Sequence, residues 1–150
     1  MELYRSASLQ SQFRGYDYFK DKKIISFKHK ENSIYCGKVK GSDKVYDVEI
    51  DIDHLKKNSY CNCPHAEGRK IICKHMVALY FAIFPEKAEQ FMEEIDEHNR
   101  KVDEYEQELE IKMRKYIKSM SKKELEEALL ECLLQVDWLY DNFIRDRVGY

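Results

Sequence analysis

The chain has 150 residues, 43% hydrophobic and 36% charged, with a net charge of −2. This length holds one domain with an appendage or two small domains, and a charged share well above the usual quarter points to long solvated helices. No apolar run approaches the roughly 18 residues that a bilayer span needs, and Met1-Glu2-Leu3-Tyr4-Arg5 lacks the basic and apolar regions of a leader, so a cytoplasmic chain is expected.

The charge is unevenly spread. Up to Pro85 there are 15 Lys/Arg against 10 Asp/Glu, and from Glu86 onward 11 against 18, so a +5 half precedes a −7 half. Two surfaces with different partners are expected from such an asymmetry. Of the five cysteines, three lie between positions 61 and 73. In a reducing compartment, so tight a cluster is more often a metal site than a disulfide framework.

In chain order, Leu9, Phe13, Tyr16 and Phe19 are spaced as one short helical face. Strands follow. Ile25, Phe27 and His29 alternate with Ser26 and Lys28; Ile34 and Cys36 flank Tyr35; Gly37 is read as a bulge before Val39. Tyr46, Val48 and Ile50 alternate with Asp47, Glu49 and Asp51, the pattern of a half-buried strand. Asn32 and Gly41-Ser42-Asp43 mark the turns. The apolar run Met76 to Phe84 is too uniform for periodicity to type, but Pro85 closes it and Ala78 and Ala82 suit close packing, so a buried helix is expected.

The remainder is helical. Ala88, Phe91, Ile95, His98, Val102, Tyr105, Leu109, Met113, Tyr116 and Met120 recur at spacings of three and four, an apolar seam wrapped in charge. Ser121-Lys122-Lys123-Glu124 reads as a capping box opening another helix, whose stripe is Leu125, Leu129, Leu133, Val136, Leu139 and Phe143. Two amphipathic helices joined by a short turn predict an antiparallel hairpin. The fold class expected is α+β: a small antiparallel sheet with a ββα-like zinc finger in residues 1–85, followed by an acidic helical hairpin in residues 86–150. Cys36, Cys132, Trp138 and Tyr140 are read as core side chains.

The segment that carries chemistry runs from Tyr60 to His75. It holds Cys61-Asn62-Cys63, nine intervening residues, then Cys73-Lys74-His75. In extended chain, residues two apart point to the same side, so Cys61 and Cys63 face one ion as a strand ends. Pro64 turns the chain away and Gly68 permits a tight return. Cys73 and His75 stand at the start of the apolar helix, where free N–H groups favour a thiolate. Three Cys and one His make a closed tetrahedral set for one structural zinc, with no position open for catalytic water. His65 is the alternative to His75 as the fourth ligand.

The order Cys-x-Cys-Pro, a short loop, Cys-Lys-His and an apolar helix resembles the SWIM-type zinc finger of prokaryotic proteins. Arg14-Gly15-Tyr16-Asp17-Tyr18-Phe19, Val39-Lys40-Gly41-Ser42 and Tyr46-Asp47-Val48-Glu49-Ile50 resemble the segments that precede it, extending the likeness over about residues 13–84. Lys22 or Lys23 stands where the family often has Gly, and the loop Glu67 to Ile72 is slightly longer than the commonest form. Leu125 to Leu130 resembles the helices that follow the finger in prokaryotic members. The resemblance implies a module that binds DNA or proteins, as in relatives that accompany Swi/Snf-type helicases and Mutator-type transposases.

Arg69, Lys70 and Lys74 border the metal loop, and Lys38, Lys40 and Lys44 flank the preceding turn; these six are the candidate phosphate contacts. The acidic seam is the candidate surface for a protein partner or for a second copy of the chain. The sequence holds no Cys-x-x-Cys, Walker A loop, nucleophile elbow or His-Glu-x-x-His, so a non-enzymatic accessory factor is expected.

Overall fold

A computed structural model describes residues 2–149 and divides the chain into two compact units, one up to Ile95 and one from Asp96. The first unit is α+β, as expected. After a 3-10 turn at Tyr4–Ser6 come α1 (Leu9–Lys20), β1 (Ile24–Glu31), β2 (Ile34–Lys40), β3 (Val45–Asp51), the single turn α2 (Leu55–Asn58), β4 (Tyr60–Cys61), α3 (Lys74–Ile83) and the first turns of α4 (Pro85–Ser119). The strands form an antiparallel meander in the order β1-β2-β3-β4.

The core lies between the sheet and α3. Val39, Val48, Ile50 and Cys61 from the sheet meet Met76, Val77, Leu79 and Phe81 of α3, all buried. The apolar run is thus a helix, and Pro85 both ends it and opens α4, where its missing N–H costs nothing. Ala88 and Phe91 of α4 are buried in the same core. Arg5 bonds Glu94 at 2.6 Å and Lys87 bonds Glu2 at 2.6 Å, tying the start of the chain to α4.

Three details differ from the sequence reading. The buried positions of α1 are Ser11, Gly15 and Tyr18, while Leu9 and Phe13 are exposed. Tyr16 and Phe19 of the expected face do pack on Phe81 of α3, but periodicity weighs large apolar residues and misses that α1 makes its close approach to α3 at Gly15. The β1 alternation does not bury one face, since Ile25 and Phe27 are both exposed on this edge strand. Gly37 sits in regular register with Phe27 and Val48, and the irregularities of β1–β2 lie instead between Ile24 and Ser26 and between His29 and Glu31. Asn32 turns the chain as expected, with a φ of 48°.

The link from β3 to β4 is fastened by Asp51, a buried carboxylate. It accepts from Ser33 Oγ (2.7 Å), Asn58 Nδ2 (2.8 Å) and the backbone N–H groups of Asp53 and His54, while its own N–H donates to Ser59 Oγ. The Asn58 and Ser33 bonds hold its pKa well below the ordinary carboxylate range. Asp51→Ala strands these donors, so it is expected to lower the melting temperature far more than Asp47→Ala, whose exposed carboxylate pairs with Lys38; thermal denaturation of the two variants checks this.

The second unit is helical: α4 from Asp96 to its end, α5 (Lys122–Gln135), α6 (Asp137–Phe143) and a π turn at Ile144–Val148. The capping box is present, with Glu124 N–H donating to Ser121 Oγ and Ser121 N–H to Glu124 Oε2 at 2.7 Å. The expected hairpin packing is not: α4 and α5 do not lie side by side. Val102, Tyr105, Leu109, Leu125 and Leu129 are exposed, and Leu133 is the buried side chain among the described residues of this unit. Val136, with φ −133° and ψ 95°, breaks the second helix, so the stripe from Leu125 to Phe143 is divided between α5 and α6. Cys132, Trp138 and Tyr140 are exposed and Cys36 is half-buried, so none is a core side chain. No helix among the described residues is long and apolar enough to cross a membrane.

Candidate metal centre

Two elements deliver the cluster. Cys61 ends β4 opposite Val48, and Asn62 continues the edge by accepting from Asp47 N–H and donating its own N–H to Asp47 O. Beyond it, the Cys63 carbonyl accepts from Ala66 and Glu67 N–H, which curls the chain into a turn after Pro64. Gly68 takes a φ of +71°, a left-handed conformation that a side chain would strain, and the loop returns toward α3. Cys73 is the N-cap of α3 and His75 lies in its first turn.

The four side chains are 0–3% exposed. One donor atom from each, the three Sγ and an imidazole nitrogen, lies within 4.8 Å of every other. His75 Nδ1 is 3.7 Å from Cys61 Sγ and 3.9 Å from Cys73 Sγ. With Zn–S near 2.3 Å and Zn–N near 2.0–2.1 Å, ligands at tetrahedral angles stand about 3.6–3.8 Å apart, so the spacing fits zinc. Nδ1 is the nitrogen that faces the thiols; Nε2 is buried, with no hydrogen-bond partner among the described residues.

The electrostatics suit a cation. Cys73 is pulled down to about 4 by the Cys61 thiol, against its burial, with His75 and the Met76 N–H adding to the effect. Cys61 is pushed up by that same bond and by burial, and Cys63 by burial above all. A bound zinc would supply the charge that lets three buried thiolates share one site. His65, the alternative ligand, is exposed in the loop and outside the cluster.

The family model of the SWIM zinc finger matches residues 46–84, the span from β3 through the cluster to the end of α3. The chain carries a SWIM zinc finger. Neither the curated proteins nor the solved structures give a match. The Cys61/Cys63/Cys73/His75 cluster of this finger fits one structural zinc ion.

Two tyrosines wall the finger's histidine. Tyr46 of β3 stacks on the His75 ring at 4.5 Å, and Tyr18 of α1 meets it edge-on at 5.4 Å. Cations gather on these rings: Lys74 and Lys23 stand 4.5 and 4.4 Å from the Tyr18 centroid, and Lys44 is 5.5 Å from that of Tyr46. Burial works to raise the Tyr18 pKa, but Lys74, with Lys23 adding its charge, brings it below the ordinary phenol value. Beside the cluster, Arg14, Lys74 and His65 line a cleft of about 310 Å³.

Of the six basic candidates, then, Lys44 and Lys74 are drawn onto the walls of the finger. Arg69 and Lys70 are exposed on its loop. Lys38 and Lys40 are exposed on β2, and Lys38 is tied to Asp47 at 3.1 Å. The sequence reading did not count Arg14 or Lys23 among the phosphate contacts. Arg14 opens the segment that resembles the lead-in to the finger, and that was the available signal.

Proposed function

We propose that this protein is a non-enzymatic accessory factor of the cytoplasm whose SWIM finger binds nucleic acid, DNA by preference, through the basic flank of the zinc site. The observation that supports it most directly is the gathering of Lys74, Lys23 and Lys44 on the two tyrosines packed against His75, with Arg14 in the adjoining cleft. Cations held on a rigid wall lose little freedom on meeting phosphates, and Arg69 and Lys70 extend the positive edge along the loop. The zinc in this reading is a scaffold: with four protein ligands it offers substrate no open position. Partner recruitment falls to the acidic helices, with an enzyme such as a Swi/Snf-type helicase as the partner class.

The test is binding of the zinc-loaded chain to labelled single- and double-stranded DNA across a salt series. Affinity is expected to fall steeply with salt, by a slope of about −0.9 per phosphate on duplex or −0.7 on single strands. Replacing Lys44, Arg69, Lys70 and Lys74 by Gln is expected to flatten it by about one per contact removed. Absence of salt-dependent binding at low salt would overturn the reading. It would leave the second one, a protein-interaction adaptor or oligomeric scaffold, which the exposed apolar side chains of α4 favour.

A further inference from the structure

The exposed seam of α4 has a register, and its charges are arranged around that register. His98, Val102, Tyr105 and Leu109 follow at spacings of four, three and four, the alternation of coiled-coil core positions d, a, d, a. Val102 is 40% exposed, Tyr105 66% and Leu109 42%, so all three are left exposed among the described residues. The flanking positions g are Lys101 and Glu108, and the flanking positions e are Asn99 and Glu106.

We propose that this seam is the dimerisation face of the protein and that its occupant is the same seam of a second copy, running antiparallel and centred between Asp103 and Glu104. In that arrangement Val102 packs against Tyr105 of the second copy and His98 against Leu109, each twice by symmetry. Lys101 then faces Glu108 across one flank, also twice, and Asn99 faces Glu106 across the other. No like charges meet.

Alternative pairings are opposed by the same charges. Sliding the antiparallel pair by one heptad in one direction sets Glu108 against Glu108; in the other direction Lys101 meets Lys101. A parallel pair keeps a Lys101–Glu106 attraction, but it brings His98 against His98 and leaves Glu108 without an opposite charge to face. Such penalties set register and orientation more strongly than they set affinity. After Leu109 the seam steps by four to Met113, which breaks the heptad phase and confines the contact to about three turns. Each copy now satisfies Lys101 with Glu97 and Glu108 with Lys112, exposed pairs that are free to exchange partners.

The experiment is sedimentation equilibrium of the full zinc-loaded chain over about 1–500 µM, the range where a short interface should dissociate. The mass is expected to rise from 18.1 kDa toward twice that value. Lys101→Glu and Glu108→Lys are each expected to raise the dissociation constant about tenfold, and the double variant to recover most of the loss, because each residue faces the other across the two-fold axis. Far-UV circular dichroism of each variant verifies that the helix is intact. A monomer at every concentration, as would follow if α5 folded onto the seam, overturns the proposal. So does a dimer indifferent to Glu108→Lys and rescued from Lys101→Glu by Glu106→Lys, which is the parallel signature.

Discussion

Removing the zinc, by chelation or by Cys61→Ala, is expected to unfold the first unit rather than merely empty a surface site. The four donors are 0–3% exposed and their side chains belong to the same buried cluster as Val48, Met76 and Val77. Zinc contributes about 10–16 kcal/mol in small zinc-dependent folds, the same order as the whole stability of a small domain, about 5–15 kcal/mol. Without it, three thiols crowd a core too polar to close on itself. Elemental analysis should find about one zinc per chain, lost together with the cooperative thermal transition of the first unit in Cys61→Ala. His75→Ala should behave alike, whereas His65→Ala should keep its metal, since His65 is exposed and outside the cluster. Acid should release the ion, because its ligands bind it only when deprotonated. A variant that retains full structure and its cooperative transition with the metal gone would refute the structural role.

The metal site was legible in the sequence because its chemistry is local. A strand end, a proline, a left-handed glycine and a helix start fix where Cys61, Cys63, Cys73 and His75 point, and all of these lie within one short segment. The half-buried β3 was equally plain, since Val48 and Ile50 face a core that one helix covers. What failed was longer in range. Nothing in the α1 periodicity announces that Gly15 rather than Phe13 faces the core, because that choice is made by the helix opposite. The helical stripes of α4 and α5 are real, but amphipathicity states only that a face needs a partner and does not say which; the hairpin was the nearest partner in sequence, and the two stripes do not meet. Lys23 joins the basic flank through Tyr18, a residue whose place beside His75 depends on the packing of α1 on α3, and Arg14 joins it through the cleft beside the cluster.

That packing carries the second large expectation. A Cβ placed on Gly15 would lie 2.5 Å from both Val77 Cβ and Val77 Cγ1 and 3.0 Å from the Lys74 carbonyl oxygen. Neither neighbour yields easily: Val77 is fully buried and stiff at χ1, and the carbonyl is helix backbone. Gly15→Ala is therefore expected to destabilise the first unit by about 1–3 kcal/mol, the usual cost of overpacking, although alanine's helix propensity alone favours the change by up to about 1 kcal/mol. In a unit of this size each kcal/mol lowers the melting temperature by about 4–8 °C. Because the pressure falls on the first turns of α3, the helix that presents Cys73 and His75, zinc affinity should weaken along with stability. Val77→Ala would open the space that the new methyl needs, so the double variant should be more stable than the sum of the two single losses allows, with a coupling of about 0.5–3 kcal/mol. Additive losses in a double-mutant cycle of thermal or urea melts would show that α1 and α3 are not held at the separation described, and that the tyrosine wall beside His75 does not depend on Gly15.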